Sequence, residues 1–234
     1  MKNNKLNIGI VGCGNIAEKY LDQINNYNNI QLIGLTDIEI KRAKTFANLY
    51  NCKIYETLDK ILSDVTVDLD VNLKSHNAHV EVIRKILSSG KHVYTEKPLA
   101  MSYKDAKRMI ELSEKNNLRL SSAPITYMGE MQQTAYKQIT NGLLGKIRLV
   151  YAEINHDRIE NWHPNPKPFF DVGILWDVGI YALTVCTAFM GPIKKVNGYG
   201  KVIMHKRRTL DGESFEVNTC LLYTSDAADE GLGV

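Results

Sequence analysis

The sequence predicts an α/β fold: a parallel sheet with helices on both faces over residues 1–123, followed by a second domain over residues 124–219. Three observations predict it. Short apolar runs of strand length alternate with longer helical patterns through the first half, as successive βαβ units require. A glycine turn joins the first of these runs to the first helical pattern. After Pro124 the alternation gives way to a longer half-polar strand pattern and an irregular, proline-bearing segment.

Taken in order, residues 7–11 read as the first strand and 17–27 as a helix. Residues 31–35 form the second strand, and 39–50 the helix after it. The apolar run 67–73 is a buried strand, and 78–88 a helix closed by Gly90 just past its end. Residues 92–95 are a further strand. Residues 102–116 are a helix with Ser102 as N-cap and Asp105 three positions on, and 118–123 supply the last strand of this unit. Beyond Pro124 the pattern predicts a helix from Met131 to Gly142 and an alternating strand over 147–154. Residues 155–171 are polar and irregular, with three prolines and Trp162, and such a segment is commonly functional or disordered. A helix over 177–190 and a strand over 196–204 follow.

Composition excludes several classes. Hydrophobic residues at 44% and charged residues at 24% give the ordinary balance of a globular domain rather than a disordered chain. A net charge of +3, with its basic residues scattered, gives no nucleic-acid footprint. The densest basic run, Lys206-Arg207-Arg208, lies beside Asp211-Gly212-Glu213 and reads as a solvated hairpin tip. No apolar run reaches the ~20 residues of a membrane helix, and the N-terminus shows no signal-peptide pattern, so the expected location is cytoplasmic. The four cysteines, Cys13, Cys52, Cys186 and Cys220, match no metal-ligand spacing and are expected as free thiols.

The chemistry starts at Gly12-Cys13-Gly14-Asn15-Ile16-Ala17, a G-x-G-x-x-A turn between a strand and a helix. Gly12 permits the tight turn, Gly14 lets the backbone approach a pyrophosphate, and Ala17 lets helix and strand pack closely. The phosphates would rest on the helix N-terminus, against the N–H groups of Cys13, Asn15 and Ile16. A bare glycine pattern is weak, but this one lies in the first βα connection of a βαβ unit. An acidic residue belongs at the end of the second strand, and Asp37 stands there, twenty residues after Ala17. Its carboxylate would accept the adenosine ribose hydroxyls and repel a 2′-phosphate, which favours NAD over NADP, although Lys41 and Arg42 nearby keep NADP open. The alternative makes Asp37 only the N-cap of the next helix.

Two further groupings carry reactive side chains. Glu96-Lys97-Pro98 closes a parallel strand at its carboxyl end, where ligands bind in open α/β sheets. A lysine there can hydrogen-bond a substrate hydroxyl and shuttle its proton; a surface lysine paired with Glu96 explains the residues equally. Asp177 and Tyr181, four apart, share a helix face, suited to orienting a hydroxyl and exchanging its proton. An acid offsetting the helix dipole and a half-buried tyrosine fit the same residues.

Together these motifs resemble the Gfo/Idh/MocA family of oxidoreductases. The resemblance rests on Gly-Ile-Val-Gly-Cys-Gly-Asn-Ile-Ala from Gly9, on Gly-Lys-His-Val-Tyr-Thr-Glu-Lys-Pro-Leu-Ala from Gly90, and on Asp177-x-Gly179-x-Tyr181. It implies a Rossmann domain followed by an α/β (α+β) domain with a large open sheet, incomplete in this chain. It implies NAD(P)-dependent hydride transfer on a sugar, polyol or related small molecule. Lys97, Asp177 and Tyr181 would be the catalytic residues, and Leu73, His79, Glu96 and Lys97 would join the glycine turn and Asp37 around the cofactor. It also implies a homo-oligomer. Many members carry histidine at the Tyr181 position.

Departures from the pattern are specific. Members often read Asn-Leu-Thr-x-Pro after the fourth strand, and this chain has Asn72-Leu73-Lys74-Ser75-His76. The Trp162-His163-Pro164-Asn165-Pro166 segment resembles one subgroup, but the glycine run expected after it is reduced to Gly173. Residues 220–234 resemble no part of the family and read like a translated transposase adapter from sequencing-library preparation, which places the expected native boundary near Thr219. Two other readings stand beside the enzyme: a dinucleotide-binding sensor or scaffold without turnover, and a fragment inactive through truncation.

Overall fold

The computed structural model describes residues 5–155 and 158–219, and the backbone of residues 222–228. The chain divides after Ala123 into two compact units. In the first, the strands are β1 Leu6–Val11, β2 Ile30–Thr36, β3 Lys53–Ile54, β4 Leu69–Asn72, β5 His92–Thr95 and β6 Leu120–Ser122. Between them lie the helices α1 Ala17–Ile24, α2 Ile40–Tyr50, α3 Leu58–Ser63, α4 His79–Ser88 and α5 Tyr103–Lys115.

All six strands pair in parallel, in the order β3-β2-β1-β4-β5-β6. The chain winds outward from β1 through β2 to β3, then returns to the other side of β1 at β4. The carboxyl ends of β1 and β4 therefore flank the switch point where such sheets bind ligands. Because side chains alternate across a strand, β1 feeds two cores at once. Ile8 and Ile10 pack with Leu21, Leu35, Ala43 and Val71 under α1 and α2, whereas Val11 joins Ile61, Ile83, Ile86, Val93 and Met109 under α3, α4 and α5. Each fully buried aliphatic side chain of this kind contributes about 1.5–3 kcal/mol.

Local signals set the helix ends. Ser102 Oγ accepts from Asp105 N at 3.1 Å and donates to the Asp105 carboxylate at 2.7 Å, so α5 starts where the cap pattern predicts. The first helix ends at Ile24, three residues short of the expected end, where Asn25-Asn26-Tyr27-Asn28-Asn29 gives the backbone turn-forming side chains. The strand β3 and helix α3 escaped the sequence reading because two and six residues are too few to show a period.

The second unit contains α6 Glu130–Thr140, α7 Lys167–Val172 and α8 Ile180–Met190. Its strands are β7 Lys195–Lys201, β8 Lys206–Arg208, β9 Ser214–Glu216 and β10 Leu222–Ala228. They form two antiparallel pairs, β7 with β10 and β8 with β9. The strand β10 falls in the tail that the sequence sets apart, and its pairing with β7 is a backbone ladder that fills one edge.

Two expectations are corrected here. Residues 147–154 form no strand, and Leu149, Val150, Tyr151 and Ile154 are exposed. Alternation names the face a strand would bury, but a strand also needs a neighbouring ladder, and no described strand pairs with this segment. Nor is the basic run at 206–208 wholly solvated. The Arg207 guanidinium turns inward, 2.5 Å from Glu160 and 4.8 Å from the Phe170 ring centroid, while Lys206 and Arg208 stay exposed. Among the described residues no helix is long and apolar enough to cross a membrane.

Candidate functional site

The glycine turn leaves β1 with Gly12 N donating to Thr36 O at 2.9 Å, and Leu73 N donating to Val11 O at 2.8 Å. Two neighbouring strands thus fix the start of the turn. Gly12 sits at φ +108°, and a Cβ there would lie 2.8 Å from the Leu73 carbonyl carbon. The turn therefore needs glycine for both its dihedral and the close approach of the loop after β4. Around Gly14 the opposite holds: a Cβ would meet nothing within 4 Å. Ala17 is fully buried, its N–H reaching Gly14 O at 3.0 Å, and α1 begins with no side-chain cap. The N-cap residue Ile16 thus supplies no side-chain acceptor to the first turn, which suits a helix N-terminus that receives an anion.

Asp37 holds this turn. Its Oδ2 accepts from the Cys13 backbone N–H at 2.8 Å, and its Oδ1 accepts from Glu39 N at 2.7 Å. The N-cap position of α2 is Glu39, so Asp37 is not the N-cap that the alternative reading required. Lys74 Nζ stands 3.8 Å from Asp37 Oδ2. Burial first, and then the Asp37 carboxylate, push the Cys13 thiol up to about 12 against the opposing Lys74 charge, which favours the protonated thiol.

The loop after β4 is tied across the sheet. Asn72, fully buried, donates to Thr95 Oγ1 at 3.1 Å and accepts from Lys74 N at 3.2 Å. Leu73 turns its side chain into the core beneath α1 and α2, so it meets the turn through its backbone. His79 is buried at 1% exposure, with Nδ1 2.7 Å from Pro98 O and Nε2 2.8 Å from Lys74 O. It fastens two loops of the site to each other from behind.

Glu96 and Lys97 follow β5, and the Lys97–Pro98 bond is cis. Glu96 Oε1 accepts from Tyr20 OH at 2.5 Å, and Oε2 accepts from Lys97 N at 3.1 Å. Burial and the Glu96 contact raise the Tyr20 phenol well above its ordinary range, so it stays a hydrogen-bond donor. Glu96 thus accepts from both Tyr20 and the Lys97 backbone N–H.

In the second unit, Asp177 lies in a π-helical turn, Leu175–Gly179, that runs into α8 at Ile180, with Tyr181 one residue later. Both are half-buried, and Asp177 N donates to Gly173 O at 3.0 Å. Single π turns are frequent at functional sites. A groove of about 500 Å³ in this unit, lined by Tyr127, Gln133, Tyr136, Thr184, Thr187 and Phe189, does not include either residue. Its lining offers no carboxylate, lysine or histidine.

The model of the oxidoreductase family with an NAD-binding Rossmann fold matches residues 6–123, and that of the GFO/IDH/MocA C-terminal domain matches residues 132–228, reaching into the tail that the sequence reading set apart from the family. The chain belongs to the Gfo/Idh/MocA oxidoreductase family. Its first unit is the NAD-binding Rossmann domain of that family. The myo-inositol 2-dehydrogenase of Thermotoga maritima is 23% identical over 93% of this chain and 64% of its own length. The D-glucoside 3-dehydrogenase of Escherichia coli is 26% identical over 85% of this chain and 58% of its own. The WlbA dehydrogenase of Bordetella pertussis, solved with NADH and UDP-GlcNAcA, superposes with a TM-score of 0.79 at 19% identity, covering 96% of this chain and 75% of that one. At that identity the likeness is one of fold. The match spans between 35% and 64% of the length of such curated relatives.

Within the Rossmann unit of this Gfo/Idh/MocA chain, the structure brings Gly12, Cys13, Gly14 and Asp37 together, with Asn15 and Ile16 on the same turn. Lys97 belongs to that unit, and Asp177 and Tyr181 to the other. Sequence reasoning missed Tyr20, Asn72 and the side chain of Lys74. Tyr20 left no signal beyond a helix position. Lys74 left one, a lysine at a position where the family often has threonine.

Proposed function

We propose that the protein is an NAD-dependent oxidoreductase moving a hydride between nicotinamide and a hydroxyl-bearing or carbonyl carbon of a sugar, polyol or related small molecule. The observation that carries the reading is the clamp of Asp37 on the Cys13 N–H, beside the open space at Gly14. Those residues fit the group: a turn with no Cβ at Gly12 and Gly14 for the pyrophosphate, a helix start with no side-chain cap, and a carboxylate for the ribose. When bound, NAD supplies the hydride acceptor, which no side chain offers.

The protein's own residues bind, orient and move the proton. In this reading Lys97 Nζ hydrogen-bonds the substrate hydroxyl, Tyr181 Oη shares its proton, and Asp177 orients the neighbouring hydroxyl. Glu96 steadies Lys97 by accepting its backbone N–H. His79 lies behind the site and supports it through the carbonyls of Lys74 and Pro98, in place of touching cofactor itself. The dehydrogenases of myo-inositol and D-glucoside among the relatives support the substrate class. A cytoplasmic location agrees with the free thiols of Cys13, Cys52 and Cys186. Homo-oligomer formation follows from the family resemblance.

The test is NADH binding by fluorescence, followed by a panel of sugars and polyols read through NADH absorbance. Saturable binding with turnover of at least one polyhydroxylated substrate is expected. Binding without turnover across the panel, by protein of the relatives' full length, would favour the sensor instead.

A further inference from the structure

We propose that Lys74 sets cofactor selectivity, giving the adenosine end of the site tolerance for a 2′-phosphate, so that this chain binds NADPH as well as NADH. The inference rests on the dinucleotide reading above and deepens it. A carboxylate at the end of the second strand repels a 2′-phosphate because nothing cancels its charge. Here something does. Lys74 Nζ stands 3.8 Å from Asp37 Oδ2, its side chain 23% exposed against 6% for the aspartate. The pair is sheltered enough for its charges to be weakly screened and open enough on the lysine side for a ligand to reach it.

Four further features support the assignment. Both Asp37 oxygens already accept backbone N–H groups, from Cys13 and Glu39, which disperses their charge before any ligand arrives. The ammonium, at ion-pair distance from Asp37, lies beyond a direct hydrogen bond, so the carboxylate does not consume its three donors. The lysine is also held from behind, because Lys74 N donates to Asn72 Oδ1 and Lys74 O meets His79 Nε2. Its backbone cannot swing away without breaking both. On the other flank Arg42, paired with Glu39 at 3.0 Å, adds a second cation on the first turn of α2.

The experiment titrates the 234-residue chain with NADH and with NADPH, following nicotinamide fluorescence, for wild type, K74T and K74Q, with circular dichroism to confirm folding. Wild type should bind NADPH within about tenfold of NADH. K74T and K74Q should weaken NADPH by about tenfold or more, while NADH changes by less than about threefold. Added salt should weaken wild-type NADPH binding more than NADH binding, moving its selectivity toward that of the variants. Equal weakening of both cofactors would overturn the proposal, placing Lys74 at the shared pyrophosphate. No change in either would overturn it as well. Failure of wild type to bind either dinucleotide would overturn the proposed function and this inference with it.

Discussion

The Cys13 backbone N–H donates to Asp37 Oδ2 at 2.8 Å, joining the glycine turn after β1 to the end of β2 across twenty-four residues of chain. One carboxylate thus fixes the turn, and in the proposed reading it would also present charge to the ribose of a dinucleotide seated there. A hydrogen bond to a charged group is worth about 1.5–3 kcal/mol. Asp37→Ala should therefore lower unfolding stability by about that amount and weaken NADH binding by tenfold or more, as order-of-magnitude expectations. Asp37→Asn keeps one acceptor but turns an NH2 donor toward the other backbone N–H, so it should recover part of the stability and little of the affinity. Urea unfolding and NADH titration on the same samples separate the two roles.

The two glycines of the turn should respond in opposite ways. At Gly12 an added Cβ meets the Leu73 carbonyl carbon at 2.8 Å on a backbone at φ +108°. Gly12→Ala should cost about 1–3 kcal/mol in backbone strain alone, visible as a lower urea midpoint. At Gly14 the same atom meets nothing. Gly14→Ala should leave the midpoint unchanged and weaken NADH binding, since the methyl occupies the space a pyrophosphate would approach. A stability loss at Gly14 as large as that at Gly12 would contradict the assignment.

Much of this unit is legible in the residues, and the illegible parts have physical reasons. The turn, Asp37 and the Ser102 cap are local, and each declares itself within a few positions. Tyr20 meets Glu96 across seventy-six residues, and Lys74 meets Asp37 through the fold, so neither contact has a local pattern. The failure at residues 147–154 has a different origin. Alternation reports which face a strand would bury, and whether a partner strand lies alongside is a property of the tertiary arrangement. Arg207 looked solvated because its neighbours are charged, but β8 alternates and points it inward.

Asp70, in the middle of β4, is fully buried, and neither carboxyl oxygen has a hydrogen-bond partner among the described residues. Burial pushes its carboxyl up to about 7, with Lys91 partly opposing. An acid raised in the folded state favours folding in its neutral form. Its contribution is fully present below the unfolded value near 3.8 and is lost as pH rises through about 7. Wild-type stability should therefore decline between pH 5 and about 8, and Asp70→Asn, neutral throughout, should flatten that decline. Urea midpoints across this range are the check; an unchanged slope in the variant would assign the decline to another group.

The second unit holds its own buried charge pair, Glu160 with Arg207 at 2.5 Å, side chains 11% and 13% exposed. The guanidinium also lies over Phe170, whose ring packs 5.5 Å from Phe215, so the pair pins the segment before α7 to the β8–β9 hairpin. Among the described residues Glu160 Oε2 and Arg207 Nε have no hydrogen-bond partner, so the geometry leaves part of the desolvation cost unrecovered. Removing one partner strands the other, at about 3–5 kcal/mol, whereas replacing both by apolar groups of similar volume is often neutral or stabilising. Arg207→Met and Glu160→Leu should each lower the thermal midpoint of this unit, and the double variant should recover most of the loss. The coupling in that cycle distinguishes a mutual burial from two independent packing positions, because independent sites would simply add. Since both residues lie outside the Rossmann unit, NADH affinity should stay constant through all three variants while stability changes.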